Sequence, residues 1–235
     1  MEKYAARYKE VCPQISMQQS LPLELPNNYF VSGFSHPQLP IIKHDGLFLY
    51  EWGLIPLWIK DMQAAKAIRT KTLNAVGETI FGKPSFRKSI ISQRCLLGVY
   101  GFYEWREYKK IKYPYLIQTA SQPIFSLGCI YESWVDLETG EIKNTFSILT
   151  TSANPLLEKI HNLKKRMPLI IPITDESKWI DPNLSKENVA EMIKPYDGSD
   201  MKAYTISMNA NNVRFDRNTP EIMKMVKYSD LPDLT

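Results

Sequence analysis

The chain has 235 residues, 44% hydrophobic and 23% charged, with a formal net charge of +4, values ordinary for a soluble globular protein able to bury a full core. Its three cysteines (Cys12, Cys95 and Cys129) are odd in number and widely spaced, which argues against a disulfide framework or a zinc cluster and fits a reducing compartment. No run is long and apolar enough to span a membrane, and no basic-then-apolar leader opens the chain, so the cytoplasm is the expected location.

Charge is unevenly placed. From Lys60 to Tyr115 there are twelve Lys or Arg against four acids, a local excess of +8, while the remainder sums to −4. Such asymmetry points to a polyanionic partner, although solvated basic helices give similar counts.

In chain order, Glu2 to Glu10 reads as a short helix ended by Cys12-Pro13. Leu21 to Pro40 reads as an irregular loop. Phe48 to Trp52 is a predicted strand leading to a turn that presents Trp58, and Asp61 to Arg69 a helix capped by Asp61. Asparagine and glycine in Thr72 to Thr79 argue against a regular helix there. Pro84 opens a short helix through Ile91, and Leu96 to Trp105 reads as one continuous strand. After a charged hairpin loop, Tyr113–Thr119 and Ile124–Ser133 are strands, as is Thr145–Thr150. Asn154-Pro155 starts a helix to about His161, and Met167–Ile171 returns as a strand. Short helices follow at Asp175–Trp179 and Ser185–Ile193, then a strand at Lys202–Ser207. No linker divides the chain. The pattern predicts one α+β domain over 1–235, with mixed, mainly antiparallel barrel-like sheets and peripheral short helices.

Four features carry possible chemistry. Glu104, between Tyr103 and Trp105, is either a rim glutamate or an acid whose pKa is raised by desolvation among aromatics. Asn74 either orients a substrate or caps a turn. His161, before Asn162-Leu-Lys-Lys-Arg166, is either an exposed helix-end histidine or one beside a phosphate-attracting cluster. Trp52 and Trp58 are base-stacking platforms or core and lid packing. Metal chemistry has no support in sequence: three histidines and no HxH, HExxH or CxxC offer nothing tetrahedral. Phosphate loops and GxSxG are absent, so no cofactor is expected.

In this order, Trp52-Gly-Leu-Ile-Pro-Leu-Trp58, Asn74-Ala-Val-Gly-Glu-Thr79, Arg94-Cys95, Gly101-Phe-Tyr-Glu-Trp105, Tyr113-Pro-Tyr115, Thr150-Thr-Ser-Ala-Asn154 and His161 with Arg166-Met-Pro168 resemble the SOS response-associated peptidase family. The likeness covers residues 52–171. It implies a monomeric DNA-damage protein that recognises abasic sites in single-stranded DNA and forms a covalent DNA–protein crosslink. In the family the cysteine after the initiator methionine closes a thiazolidine with the ring-opened sugar. The resemblance implies that Asn74 positions the N-terminal residue and the sugar, that Glu104 exchanges protons with the ring oxygen and the amine, and that His161 assists Schiff-base formation. Arg87, Lys165 and Arg166 would hold the backbone, and Trp58 would wedge or stack at the lesion.

Two departures qualify this. The chain begins Met1-Glu2-Lys3, and Cys12 is internal with no free α-amine. The expectation is a short cysteine-bearing stretch upstream of Met1; the alternative is a member that binds single-stranded DNA and has lost crosslinking. A thiol-type autopeptidase, as the family's name suggests, is poorly served without a cysteine at position 2. Second, Val76 stands where the family usually carries arginine, removing a phosphate contact for which Arg69 or Lys71 would compensate.

Overall fold

The computed structural model describes residues 27–234. In chain order it contains β1 (Gln38–Lys43), β2 (Gly46–Trp52), α1 (Met62–Arg69), β3 (Asn74–Val76), α2 (Ser89–Ser92), β4 (Arg94–Val99), β5 (Phe102–Tyr108), β6 (Ile111–Thr119), β7 (Phe125–Val135), β8 (Ile142–Ser152), α3 (Pro155–Ile160), β9 (Arg166–Pro168), β10 (Ile170–Ile171), α4 (Glu176–Ile180), α5 (Lys186–Met192) and β11 (Met201–Thr205). Eight strands run in the order β10-β7-β4-β1-β2-β8-β3, with β9 on β8, and a further β7–β8 pairing closes β7-β4-β1-β2-β8 into a ring. Closure removes free edges from the long apolar strands. Most pairs are antiparallel; β2 and β3 run parallel to β8. The remaining three strands form a separate sheet, β11-β6-β5. This is the α+β fold with a barrel-like sheet and peripheral short helices that the pattern predicts.

Two apolar clusters organise the interior. One joins barrel residues such as Leu97, Leu127 and Phe146 to Tyr113, Tyr115 and Ile117 of β6 and to Leu157 and Ile160 of α3. The other packs Leu96, Ile130 and Leu149 against Ile90, Trp179 and Val189. Alternate residues of β4 therefore enter different clusters, and the strand is buried on both faces. Arg94 at its start is fully buried; its guanidinium donates to the carbonyls of Ile90, Ile91, Trp179 and Asp181, satisfying orphan groups at the ends of α2 and α4.

The local caps behave as expected: Asp61, Asn154 and Ser185 each accept the backbone N–H three residues on. Several expectations need correction. The run Leu96–Trp105 is not one strand: it breaks at Tyr100-Gly101, leaving β4 in the barrel and β5 in the smaller sheet. A Cβ on Gly101 would lie 2.7 Å from Ile117 O and 2.8 Å from Leu116 Cδ1, so glycine permits the crossing of two backbones there. Strand β1 begins inside the expected Leu21–Pro40 loop, because Pro40 disguises a strand whose partner β2 needs only alternate groups. Residues 84–88 turn before α2 rather than forming its first turn, and Met167–Ile171 splits into β9 and β10, which pair with different strands. The helix expected at Glu2–Glu10, Cys12-Pro13 and the first part of the expected loop lie outside the described residues.

Candidate functional site

Among the described strands β5 pairs with β6 alone, and its other edge meets α3 and the turn after it. Glu104 stands directly opposite Tyr115 across the β5–β6 pair, and opposite residues share a face. That face belongs to the cluster containing Tyr115, Leu157 and Ile160. Tyr103 and Trp105 point the other way by strand alternation: Tyr103 stacks on Phe30, and Trp105 Nε1 donates to Asn211 Oδ1 at 2.5 Å. The carboxyl thus shares its face of the strand with the barrel side and α3. Burial pushes its pKa up to about 7, opposed by the Trp105 backbone hydrogen bond and by the charge of Lys164.

His161 ends α3, where its N–H donates to Leu157 O. Its Nδ1 lies 2.9 Å from Arg166 O and 3.5 Å from Glu104 Oε2. A carbonyl only accepts, so the ring carries hydrogen on Nδ1, and Nε2 keeps a lone pair in the neutral form. The two side chains are about equally sheltered, with 19% of Glu104 and 21% of His161 exposed. An acid with a near-neutral pKa beside an oriented imidazole can both give and take a proton at neutral pH.

Asn74 opens β3, in register with Ile148 of β8, and its exposed side chain lines the same large cleft as Glu104, a cavity of about 1800 Å³. It does not cap the turn that follows: Val76 holds that position before Gly77–Thr79. Phe34, Trp52, Tyr100 and Phe215 add an aromatic rim to the cleft.

The remaining sequence candidates divide. Trp52 is packing: it stacks on Phe146 and donates Nε1 to Leu73 O at 2.8 Å. Trp58 is 54% exposed and lines a second cavity of about 550 Å³ with Arg87 and Lys88. Lys71, Arg87 and Lys165 are exposed cations. Arg69 and Arg166 are not free in the same way. Arg69 Nη2 pairs with Glu51 at 2.7 Å and its side chain is 12% exposed. Arg166 grips Glu78 with two bonds of 2.7 and 2.8 Å and also donates to Thr150 O, joining β9 to the segment after β3. The Arg166 guanidinium in turn holds the Glu78 carboxyl below the ordinary carboxylate range. Sequence reading passed over Glu78 and Thr150 because their partner lies far along the chain, 88 residues away in the case of Glu78.

Cys95 and Cys129 face each other across the β4–β7 pair, fully buried. Among the described residues no group of three His, Cys, Asp or Glu could hold a metal ion, and no helix is long and apolar enough to cross a membrane.

This arrangement has relatives. The chain is 38% identical over 175 residues to Abasic site processing protein YoqW of Bacillus subtilis, 74% of each chain being covered. It is 28% identical over 194 residues to Abasic site processing protein HMCES of Gallus gallus, covering 73% of this chain and 55% of that one. A crystal structure of a protein from Bacteroides thetaiotaomicron superposes with a TM-score of 0.87 at 40% identity, over 96% of this chain and 95% of that one. A family model described as SOS response associated peptidase (SRAP) matches residues 18–213, a span that takes in the barrel, the three-stranded sheet and the Glu104–His161 pair. The chain belongs to the SOS response associated peptidase family.

Proposed function

We propose that the protein recognises abasic sites in single-stranded DNA and captures the ring-opened sugar covalently when a cysteine with a free α-amine is delivered to the cleft. The observation that carries this reading is the Glu104–His161 pair, with a carboxyl of pKa about 7 set 3.5 Å from the imidazole, beside the cleft that Asn74 lines. The names of the relatives support the substrate class.

The chemistry asks for what such a pair supplies. The sugar must open, which needs a proton on its ring oxygen; the protonated Glu104 is the donor. An unprotonated amine then adds to the aldehyde carbon, and the carbinolamine loses water to give an imine, a step that again needs an acid. A thiolate adds to the imine carbon, the nitrogen takes a proton, and the thiazolidine ring closes with one water released overall. His161 relays the protons, and Asn74 orients the sugar. Lys71, Arg87 and Lys165 hold phosphates without reading sequence, and Trp58 stacks at the lesion. An abasic nucleotide, lacking a base, costs little unstacking to enter the cleft. Cys95 and Cys129 are buried core residues and do not serve as the thiol.

The test is to incubate the purified protein, as it stands and in a form that carries an N-terminal cysteine with a free α-amine, with single-stranded oligonucleotides carrying an abasic site, and to look for a denaturation-resistant adduct. An adduct formed only by an extended chain bearing an N-terminal cysteine is the expected result. No adduct in either form would sink the crosslinking reading and leave binding alone. Adduct formation should trace a bell against pH, limited at low pH by protonation of the amine and at high pH by loss of the Glu104 proton.

A further inference from the structure

The proton-transfer pair joins two elements far apart in sequence, and a third side chain ties them together. Asn162 follows His161 directly. Its Oδ1 accepts the N–H of Glu107 at 3.0 Å and its Nδ2 donates to the carbonyl of Glu107 at 2.8 Å, across a separation of 55 residues. The amide thereby imitates one residue of a neighbouring strand along the outer edge of β5, satisfying a backbone donor and acceptor that no described strand reaches. Glu107 lies three residues beyond Glu104 on that strand, with its own cross-strand partner, Lys112, on the other side. The opposite end of the turn is held separately: Lys165 N–H donates to His161 O at 2.7 Å, and Arg166 O accepts from the imidazole.

We propose that Asn162 is a positioning residue that seats the His161 imidazole against Glu104 by pairing its side-chain amide with the backbone of Glu107. It touches neither sugar nor phosphate. The Arg166 carbonyl orients the ring, but Arg166 is anchored to Glu78 and Thr150, not to β5. Contact between α3 and β5 brings the two elements together, and the Asn162 amide supplies the directional hydrogen bonds that set their register along the strand. Asparagine suits the role because it alone among short side chains offers a donor and an acceptor in the geometry of a peptide group.

This inference rests on the proposed function only for its consequence in the reaction, so its test begins without DNA. The His161 ring signals are followed through pH by NMR in the parent chain, Asn162→Ala, Asn162→Asp and Glu104→Gln. The charged groups at the pair are Glu104 from β5 and Lys164 from the turn, the Arg166 guanidinium being held by Glu78 and Thr150. In the parent chain the imidazole signals should report the protonation of the Glu104 carboxyl, which lies 3.5 Å from Nδ1. Glu104→Gln shows the profile without that coupling. Asn162→Ala should move to the Glu104→Gln profile, while Asn162→Asp, which keeps only the bond from the Glu107 N–H, should fall between. A parent-like profile in Asn162→Ala would overturn the proposal. Should the alanine variant fail to fold, the aspartate variant decides by the same criterion.

The second readout is adduct formation by a cysteine-bearing chain at saturating DNA, where Asn162→Ala is expected to be slower by about tenfold, with the half-saturating DNA concentration unchanged. A loss of affinity with no loss of maximal rate would count against positioning. If the NMR coupling disappears as expected but the cysteine-bearing chain without the Asn162 substitution forms no adduct, the positioning role stands and the proposed function fails. If that cysteine-bearing chain forms an adduct and its Asn162→Ala variant matches it in rate and in NMR profile, the positioning role fails and the proposed function stands.

Discussion

Strands β4 and β5 come from one apolar, glycine-punctuated run and end in different circumstances. Strand β4 lies inside the closed ring, buried on both faces, paired on both edges, and its one charged group, Arg94, is consumed in holding helix ends. Strand β5, separated from it by two residues, leaves the ring, keeps one edge unpaired by any described strand and carries Glu104 to the turn after α3. The difference shows why chemistry sits on the second half. A fully paired strand has no backbone or side chain to spare, whereas a half-paired one can be met from the side by residues that arrive from elsewhere in the chain.

The largest test of that contrast is Glu104→Gln in a cysteine-bearing chain. Loss of the acid should slow adduct formation by about a hundredfold while leaving DNA affinity nearly unchanged; equal loss of both, measured at two salt concentrations, would make Glu104 structural. The same substitution should also stabilise the protein. Folding raises the Glu104 pKa from 4.5 to about 7, so the folded chain holds a proton that the unfolded chain releases between those values, and stability falls as pH rises through that window. At about 1.4 kcal/mol per unit, Glu104→Gln should gain about 3 kcal/mol above pH 7 relative to the parent, and nothing below pH 4.5. Urea denaturation at the two pH values would reveal it, and a pH-independent difference would contradict the assignment.

The hinge between the two strands comes next. Gly101→Ala places a methyl against the Ile117 carbonyl, a backbone atom that cannot step aside, and should cost about 2 kcal/mol in denaturant stability and slow adduct formation by moving β5. An unaffected variant would mean that the two sheets are less tightly coupled than the crossing implies. Smaller effects separate the cations. Arg87→Ala should reduce the salt dependence of DNA binding by about one contact, whereas Arg166→Ala, whose guanidinium serves Glu78 and Thr150, should leave the salt slope unchanged. Least of all, the β5–β6 hairpin turns through Lys109 and Lys110, both with positive φ (49° and 65°), a conformation that lysine adopts at a cost. Lys110→Gly should raise thermal stability by about 1 kcal/mol without touching the site.

Much of the fold was legible in advance because its signals are local. Alternating and β-branched runs marked most of the strands, and the side chains of Asp61, Asn154 and Ser185 marked helix starts by a hydrogen bond only three residues long. The strand β1 and the break at Gly101 were not legible. The first carries Pro40 and follows a proline-rich stretch, and the second depends on a backbone crossing that appears only when β6 is in place. For the site, the order of motifs picked out Asn74, Glu104 and His161 as residues of interest, and the apolar run around Glu104 signalled the desolvation that raises its pKa, whereas the contact with His161 carries no local signal.

By itself, then, the sequence determined most of the strand and helix inventory, the concentration of basic charge, the kinship with a family and the presence of a carboxylate in an apolar run. Those properties depend on residues a few positions apart. Only the tertiary structure decided that Glu104 meets His161, that Arg69 and Arg166 spend their charge on Glu51 and Glu78, and that Asn162 reaches Glu107. Each of those contacts joins segments whose separation is set by barrel closure and by the turn at Gly101, and no local pattern encodes a distance of that kind.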